Sequence, residues 1–234
     1  MCLDQAVIVR FIRRIIIPVD KLHVCRYLFT HRFVDLSVFS VILSAGRQLK
    51  EHSAAFDDFM QLDLPGTRNG LDDNVRNLDK FLLYNDPFMG MMDKTVLPGE
   101  GEQFGACAEK LEALQTLPEW GYLFRTLGAL CRVLEIKAEL GVRIHEAYRT
   151  GDKTALCAML AKLDETLACL ERFHDAYRAQ WMQENKPHGF DVQDIRLGGL
   201  MQRVKTCRAR LEDYCAGRLE KCIGDRSRQQ ILSI

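Results

Sequence analysis

The spacing of apolar residues between positions 156 and 214 leaves this chain few folds to choose from. Leu156, Leu160, Leu163, Leu167, Leu170, His174, Tyr177 and Trp181 follow one another at alternating intervals of four and three, and so do Leu197, Leu200, Val204, Cys207, Leu211 and Tyr214. That rhythm keeps side chains on one stripe of a helix, as in the seam of a coiled-coil-like bundle. Between the two stripes lies NKPHGFDVQDIRLGGLM, Asn185 to Met201, which must turn one helix back along the other. Pro187 and Gly189 break the first helix. Asp191 is the expected N-cap of the second, with Asp194 adding negative charge to its first turn. Gly198 and Gly199 then fall inside that helix, where each costs about 1 kcal/mol against alanine. The expected compensation is close backbone approach to a neighbouring helix.

Upstream, Trp120, Leu123, Phe124, Leu127, Leu130, Val133, Leu134, Ile136 and Leu140 spread apolar surface around more of the circumference. This pattern predicts a central helix covered on two sides. Pro118 is expected to open it, Gly151 to close it after Arg149, and Asp152 to cap the next. That next helix is expected to run to about Asn185, and the last from about Asp191 to Cys222. A shorter helix is expected over Phe104 to Thr116. Three long helices joined by short turns pack against their neighbours in opposite directions. The expected fold is therefore all-α, a bundle of three long antiparallel helices with shorter N-terminal helices.

Within the first 35 residues, Ala6 to Val19 is strongly apolar but cut by Arg10, Arg13 and Arg14, so its runs are too short to span a bilayer and lack the order of a signal peptide. Helices are expected at Leu36 to Gln48 and Ala54 to Leu62, then an exposed loop over Thr67 to Asn77. The motif FLLYNDPFMGMMD, Phe81 to Asp93, contains a turn or helix start at Asn85-Asp86-Pro87, and Leu97 to Gly101 is a further break.

With 32 basic and 32 acidic residues, net charge is zero, which argues against nucleic acid or an anionic membrane as partner. The nine cysteines form no C-x-x-C pair and no zinc spacing, and their scatter reads as reduced core thiols of a cytoplasmic protein. Asp164-Glu165 is an adjacent carboxylate pair, but it lies off the apolar stripe beside Lys162 and Arg172, where a solvated helix face is the normal pattern. Glu171 and His174 form one E-x-x-H pair, whereas a di-iron bundle needs two. His174 falls on the stripe and reads as a core histidine with one hydrogen-bond partner. His145-Glu146 and His188 have no ligand companions. No G-x-S-x-G, Walker loop or G-x-G-x-x-G occurs, and Leu197-Gly198-Gly199-Leu200 follows a helix signal rather than a strand. Read from its residues, the chain carries no catalytic, metal or cofactor constellation.

Three motifs carry a resemblance. LLYNDPFMGMMD (Leu82 to Asp93), WGYLFRTLGALCRVLEIKAELGVR (Trp120 to Arg143) and ENKPHGFDVQDIRLGGL (Glu184 to Leu200) resemble the C-terminal helical domain of bacterial exo-β-N-acetylhexosaminidases of glycoside hydrolase family 20. Phe56 to Met60 and Leu62 to Pro65 resemble the segment that leaves the catalytic barrel, and the likeness extends over roughly Ser37 to Cys222. The resemblance implies a parent enzyme that removes terminal β-linked N-acetylglucosamine or N-acetylgalactosamine, with the sugar's acetamido group as nucleophile, a Glu as acid and an Asp orienting the acetamide. Those two residues belong to the preceding (β/α)₈ barrel, so Asp164-Glu165 inherits neither role. The resemblance divides the chain into an unmatched segment 1–36, a remnant of the barrel-to-domain linker at 37–79 and the helical domain at 80–234.

The stretch before Ser37 departs from the family, which gives the expectation of a fragment of a truncated or frame-shifted gene, inactive alone and without cofactor. Its partner would be the barrel or a second copy of itself. Residues of the resembling motifs at turns and helix starts become domain-interface candidates: Tyr84, Asn85, Asp86, Phe88, Trp120, Tyr122, Arg125, Asn185, Lys186 and Arg196. Local capping and core packing account for the same residues equally well. The alternative reading of the whole chain is a stand-alone helical interaction or dimerisation module.

Overall fold

The computed structural model describes residues 78–118 and 120–223. The helices expected at Leu36 to Gln48 and Ala54 to Leu62, the loop at Thr67 to Asn77 and the segment 1–36 lie outside the described residues. Within them, all regular structure is helical: α1 Leu78–Tyr84, a 3-10 turn at Asp93–Thr95, α2 Glu100–Ala113, α3 Gly121–Thr150, α4 Lys153–Glu184 and α5 Phe190–Cys215.

α3 lies at the centre, packed against α1, α2 and α4, while α5 packs on α4. One contiguous core joins Phe104 and Leu111 of α2, Leu134 and Ile144 of α3, Leu163 and Leu170 of α4, and Val204 and Leu211 of α5. The first turns of α3 meet the last turns of α4, where Thr126 Oγ1 donates to the Ala176 carbonyl at 3.3 Å. Between α4 and α5, His174 Nε2 pairs with Asp194 Oδ1 at 2.7 Å, and Asp164 pairs with Arg208. α2 and α3 are tied at the surface by a bidentate bond from Arg132 to Glu112, at 2.9 and 2.6 Å. That geometry holds Glu112 below its ordinary pKa through the guanidinium.

The ends of the helices are set by turns more than by the apolar rhythm. Gly151 adopts φ 72°, and Asp152 Oδ1 accepts the Ala155 amide at 2.9 Å, so the α3–α4 junction is the one expected. α2 begins four residues before Phe104. Gly99 turns left-handed there, and the Glu100 carboxylate accepts the Leu97 amide at 3.1 Å. Pro118 precedes α3 rather than opening it, because the turns from Leu114 close on Gly121, whose amide donates to the Leu117 carbonyl at 2.9 Å.

The cap of α5 also differs from expectation. Gly189, at φ 100°, is the N-cap, and Asp191 sits inside the helix with its carboxylate accepting the Gly189 amide at 2.9 Å. α5 stops at Cys215 and not at Cys222. The Arg218 amide reaches back to the Asp213 carbonyl at 2.8 Å, and Arg210 then clamps the departing chain by donating to the carbonyls of Cys222 and Lys221 at 2.7 and 3.2 Å.

The glycines of α5 overturn one expectation. Gly198 and Gly199 are exposed, and a methyl group on either would meet no atom within 4 Å. Close helix approach occurs at Gly101 of α2 instead, where a Cβ would collide with the Glu135 carbonyl of α3. Gly101→Ala should therefore cost about 1–3 kcal/mol through overpacking, whereas Gly198→Ala should stabilise by up to about 1 kcal/mol. Urea unfolding midpoints of the two variants check this, and shifts of the same sign would contradict it.

Candidate functional site

The loop Asn85 to Asp93 is held by hydrogen bonds from within and from two helices. Asn85 is buried, donating from Nδ2 to Asp93 Oδ1 at 3.1 Å and accepting the Met92 amide at 3.1 Å. Asp86 Oδ1 accepts the Phe88 and Met89 amides at 2.8 and 2.9 Å, an Asx-type turn built on the Asn-Asp-Pro sequence. Its carboxylate also takes both arms of Arg203 from α5. Burial pushes the Asp86 carboxyl up, but Arg203 and the two amides outweigh it and hold it below its ordinary value. His145 of α3 fastens the other end of the loop, with Nδ1 at 2.6 Å from Asp93 Oδ2 and Nε2 at 2.8 Å from the Phe88 carbonyl.

Beneath the loop sits Lys137, buried in the middle of α3. Its Nζ donates to the carbonyls of Leu82 and Asn85 at 3.1 and 2.5 Å, capping the C-terminal end of α1 with positive charge. Burial lowers its pKa to about 8, opposed by the charges of Asp86, Cys207 and Asp93. Its bonds go to main-chain oxygens, so the arrangement anchors backbone and presents no acid–base pair to solvent.

A second cluster lies where α4 ends and α5 begins. Phe190 is buried against Tyr177, Trp181 and His174, with ring centroids 5.6, 5.8 and 5.6 Å away. Trp181 Nε1 donates to the Lys186 carbonyl at 3.0 Å, which fixes the course of the turn. Tyr84 is exposed at the end of α1, close enough to this cluster for Arg196 and Tyr177 to act on its hydroxyl, whose pKa is raised by burial first. Arg125, Lys186 and Arg196 are exposed, Asn185 is the C-cap of α4, and Phe88 is buried in the core. Trp120 caps α3, and its Nε1 is buried without a hydrogen-bond partner, as are Tyr122 Oη and Glu184 Oε1. No hydrogen bond of normal geometry joins Tyr122 to Glu184. Burial, followed by the nearby Glu184 carboxylate, still raises the Tyr122 hydroxyl far above its ordinary value.

The remaining sequence candidates fall on solvent or on single partners. Asp164 and Glu165 are exposed and bonded to Arg208 and Lys162. His174 pairs with Asp194, and Glu171 is exposed. Among the described residues no group of three or more His, Cys, Asp or Glu is placed to hold a metal, and no helix is long and apolar enough to cross a membrane.

Residues 57–223 match the family described as the Glycoside Hydrolase 20C C-terminal domain. The chain belongs to that family. A search of curated proteins finds no match. The bonded loop, Lys137 and the aromatic turn all fall within the matched region, whose regular structure among the described residues is helical. Sequence reasoning missed Lys137, Arg203 and the role of His145. Only Lys137 leaves a local trace, as a lysine in a helix that is otherwise apolar around most of its circumference.

Lys137 predicts a pH dependence. Its folded pKa of about 8 lies below the ordinary lysine value near 10.4, so between the two the unfolded chain holds more protons and stability rises with pH. The full penalty of burying the ammonium ion is present below about pH 8. Relative to Lys137→Met, the native chain should gain about 3 kcal/mol from pH 8 to 10.5, one pKa unit being about 1.4 kcal/mol. Urea titrations of both proteins across that range test this, and a constant difference would refute it.

Proposed function

We propose that this helical domain is a non-catalytic module that docks against the (β/α)₈ barrel of a family 20 β-N-acetylhexosaminidase, the enzyme class that removes terminal β-linked N-acetylglucosamine or N-acetylgalactosamine. In this reading α3, α4 and α5 form an antiparallel bundle of three long helices, residues 37–79 lead from barrel to bundle, and residues 80–234 are the docking domain. The family assignment supports it.

The observation that carries the reading is the exposed apolar face around the start of α5. Ile195 is 74% exposed and Val192 43%, one turn apart on α5 and followed by bare backbone at Gly198 and Gly199, and Met182 near the end of α4 is 45% exposed. An isoleucine so exposed, beside two glycines with open space over them, leaves room for another body to approach the helix closely. Of the interface candidates, Tyr84, Arg125, Lys186 and Arg196 are the exposed ones, and we assign them to the barrel. Asn85, Asp86 and Phe88 shape the loop behind Tyr84. Trp120, Tyr122 and Asn185 support the same end of the fold. The second reading, dimerisation with another copy, uses the same face.

The test is binding to a separately expressed family barrel, with hydrolysis of a chromogenic N-acetyl-β-glucosaminide as the activity readout. The chain alone should give no hydrolysis, and it should raise the barrel's Tm. Ile195→Asp should weaken that binding at least tenfold, about 1.4 kcal/mol or more. Equal binding by the variant would overturn the docking face. If light scattering instead shows a dimer that Ile195→Asp dissociates, the second reading replaces the first.

A further inference from the structure

Two of the cysteines are a matched pair. Asp164 of α4 is bonded to Arg208 of α5, and His174 to Asp194 further along, so residue numbers rise on one helix as they fall on the other. Cys157 lies seven residues before Asp164, and Cys215 lies seven residues after Arg208 (164 − 157 = 7; 215 − 208 = 7). Seven residues are close to two helical turns. Each cysteine therefore returns to the side of its helix that carries the ion pair, at the same height as the other. Both are half-buried with free thiols, whereas Cys169, Cys207 and Cys222 are enclosed. The Cys215 thiol is raised to about 12 by burial first and then by its hydrogen bond to Cys157, with Lys153 opposing. Cys222 is within electrostatic reach but buried, and its carbonyl is held by Arg210.

We propose that Cys157 and Cys215 are a modification site, a dithiol that closes reversibly into a disulfide on reaction with a low-molecular-weight disulfide such as oxidised glutathione. One cysteine, as thiolate, attacks a glutathione sulfur. That forms a mixed disulfide and releases the first glutathione thiolate. The second cysteine, having lost its proton, attacks the protein-bound sulfur, forms the Cys157–Cys215 bond and expels the second glutathione. The two protein thiols are oxidised, one glutathione disulfide is reduced to two thiols, and the two cysteine protons end on the glutathione thiolates or in solvent. The bond ties the first turns of α4 to the last turn of α5, just before the chain leaves the helix at Gly217. Closing a long loop in this way constrains the unfolded chain more than the folded one.

The experiment uses the full chain incubated with oxidised glutathione at pH 8, alkylated and digested with trypsin without reduction. The expected product joins peptide 154–162, which carries Cys157, to peptide 211–218, which carries Cys215. Oxidation should also raise Tm by about 5–10 °C, reversed by dithiothreitol. Cys157→Ser and Cys215→Ser should each abolish the shift, and Cys222→Ser should leave it. Glutathione carried singly on Cys157 or Cys215, a bond from Cys215 to Cys222, or no reaction would each overturn the proposal. The peptide map of the unmutated chain decides it even if a variant fails to fold.

Discussion

A buried ammonium ion holds the N-terminal part of this domain to its centre. Lys137 projects from α3 into the end of α1 and bonds the carbonyls of Leu82, which also accepts the Asn85 amide, and of Asn85 itself. The loop that follows is then sewn down from three directions: from α3 by His145, from α5 by Arg203, and from within by Asn85 and Asp93. Burying a charge is costly unless it is fully hydrogen-bonded. The helix end and the loop supply that bonding, while Leu82 and Leu83 of α1 enter the core.

The legible and illegible parts of the fold divide along physical lines. The stripes of α4 and α5 could be read because the same contact recurs every turn, and the α3–α4 junction because Gly151 and Asp152 each carry a strong local preference. The start of α5 was misassigned by two residues because Asp191 and Gly189 both satisfy a capping rule, and the left-handed backbone at Gly189 decides between them. The end of α5 differs because Leu219, Cys222 and Ile223 stay apolar after the helix stops, the last two buried where Arg210 clamps the chain, a contact with no sequence signature. Asp86 and Arg203 are 117 residues apart, and a pairing over that distance leaves nothing for a single sequence to reveal.

The candidate site shows the same division. The interface candidates are polar or aromatic residues at turns, and such residues serve two ends. Asn85 and Asp86 are used by their own loop, while Tyr84, Lys186 and Arg196 remain at the surface. The exposed Ile195 was not among them because an isolated apolar residue outside the stripe gives no signal by itself. Its meaning comes from its neighbours in space, among them the two glycines that the packing of this domain does not explain.

Those glycines have a dynamic consequence. The domain forgoes about 2 kcal/mol of helix propensity in the first half of α5, against a total stability of order 5–15 kcal/mol for an ordinary domain. Local opening is cheapest where helix propensity is lowest and side-chain contacts are fewest. The turn at Gly198 and Gly199, beyond the anchored Phe190, is therefore where α5 opens most cheaply, and any body that covers Ile195 acts also as a splint for that helix.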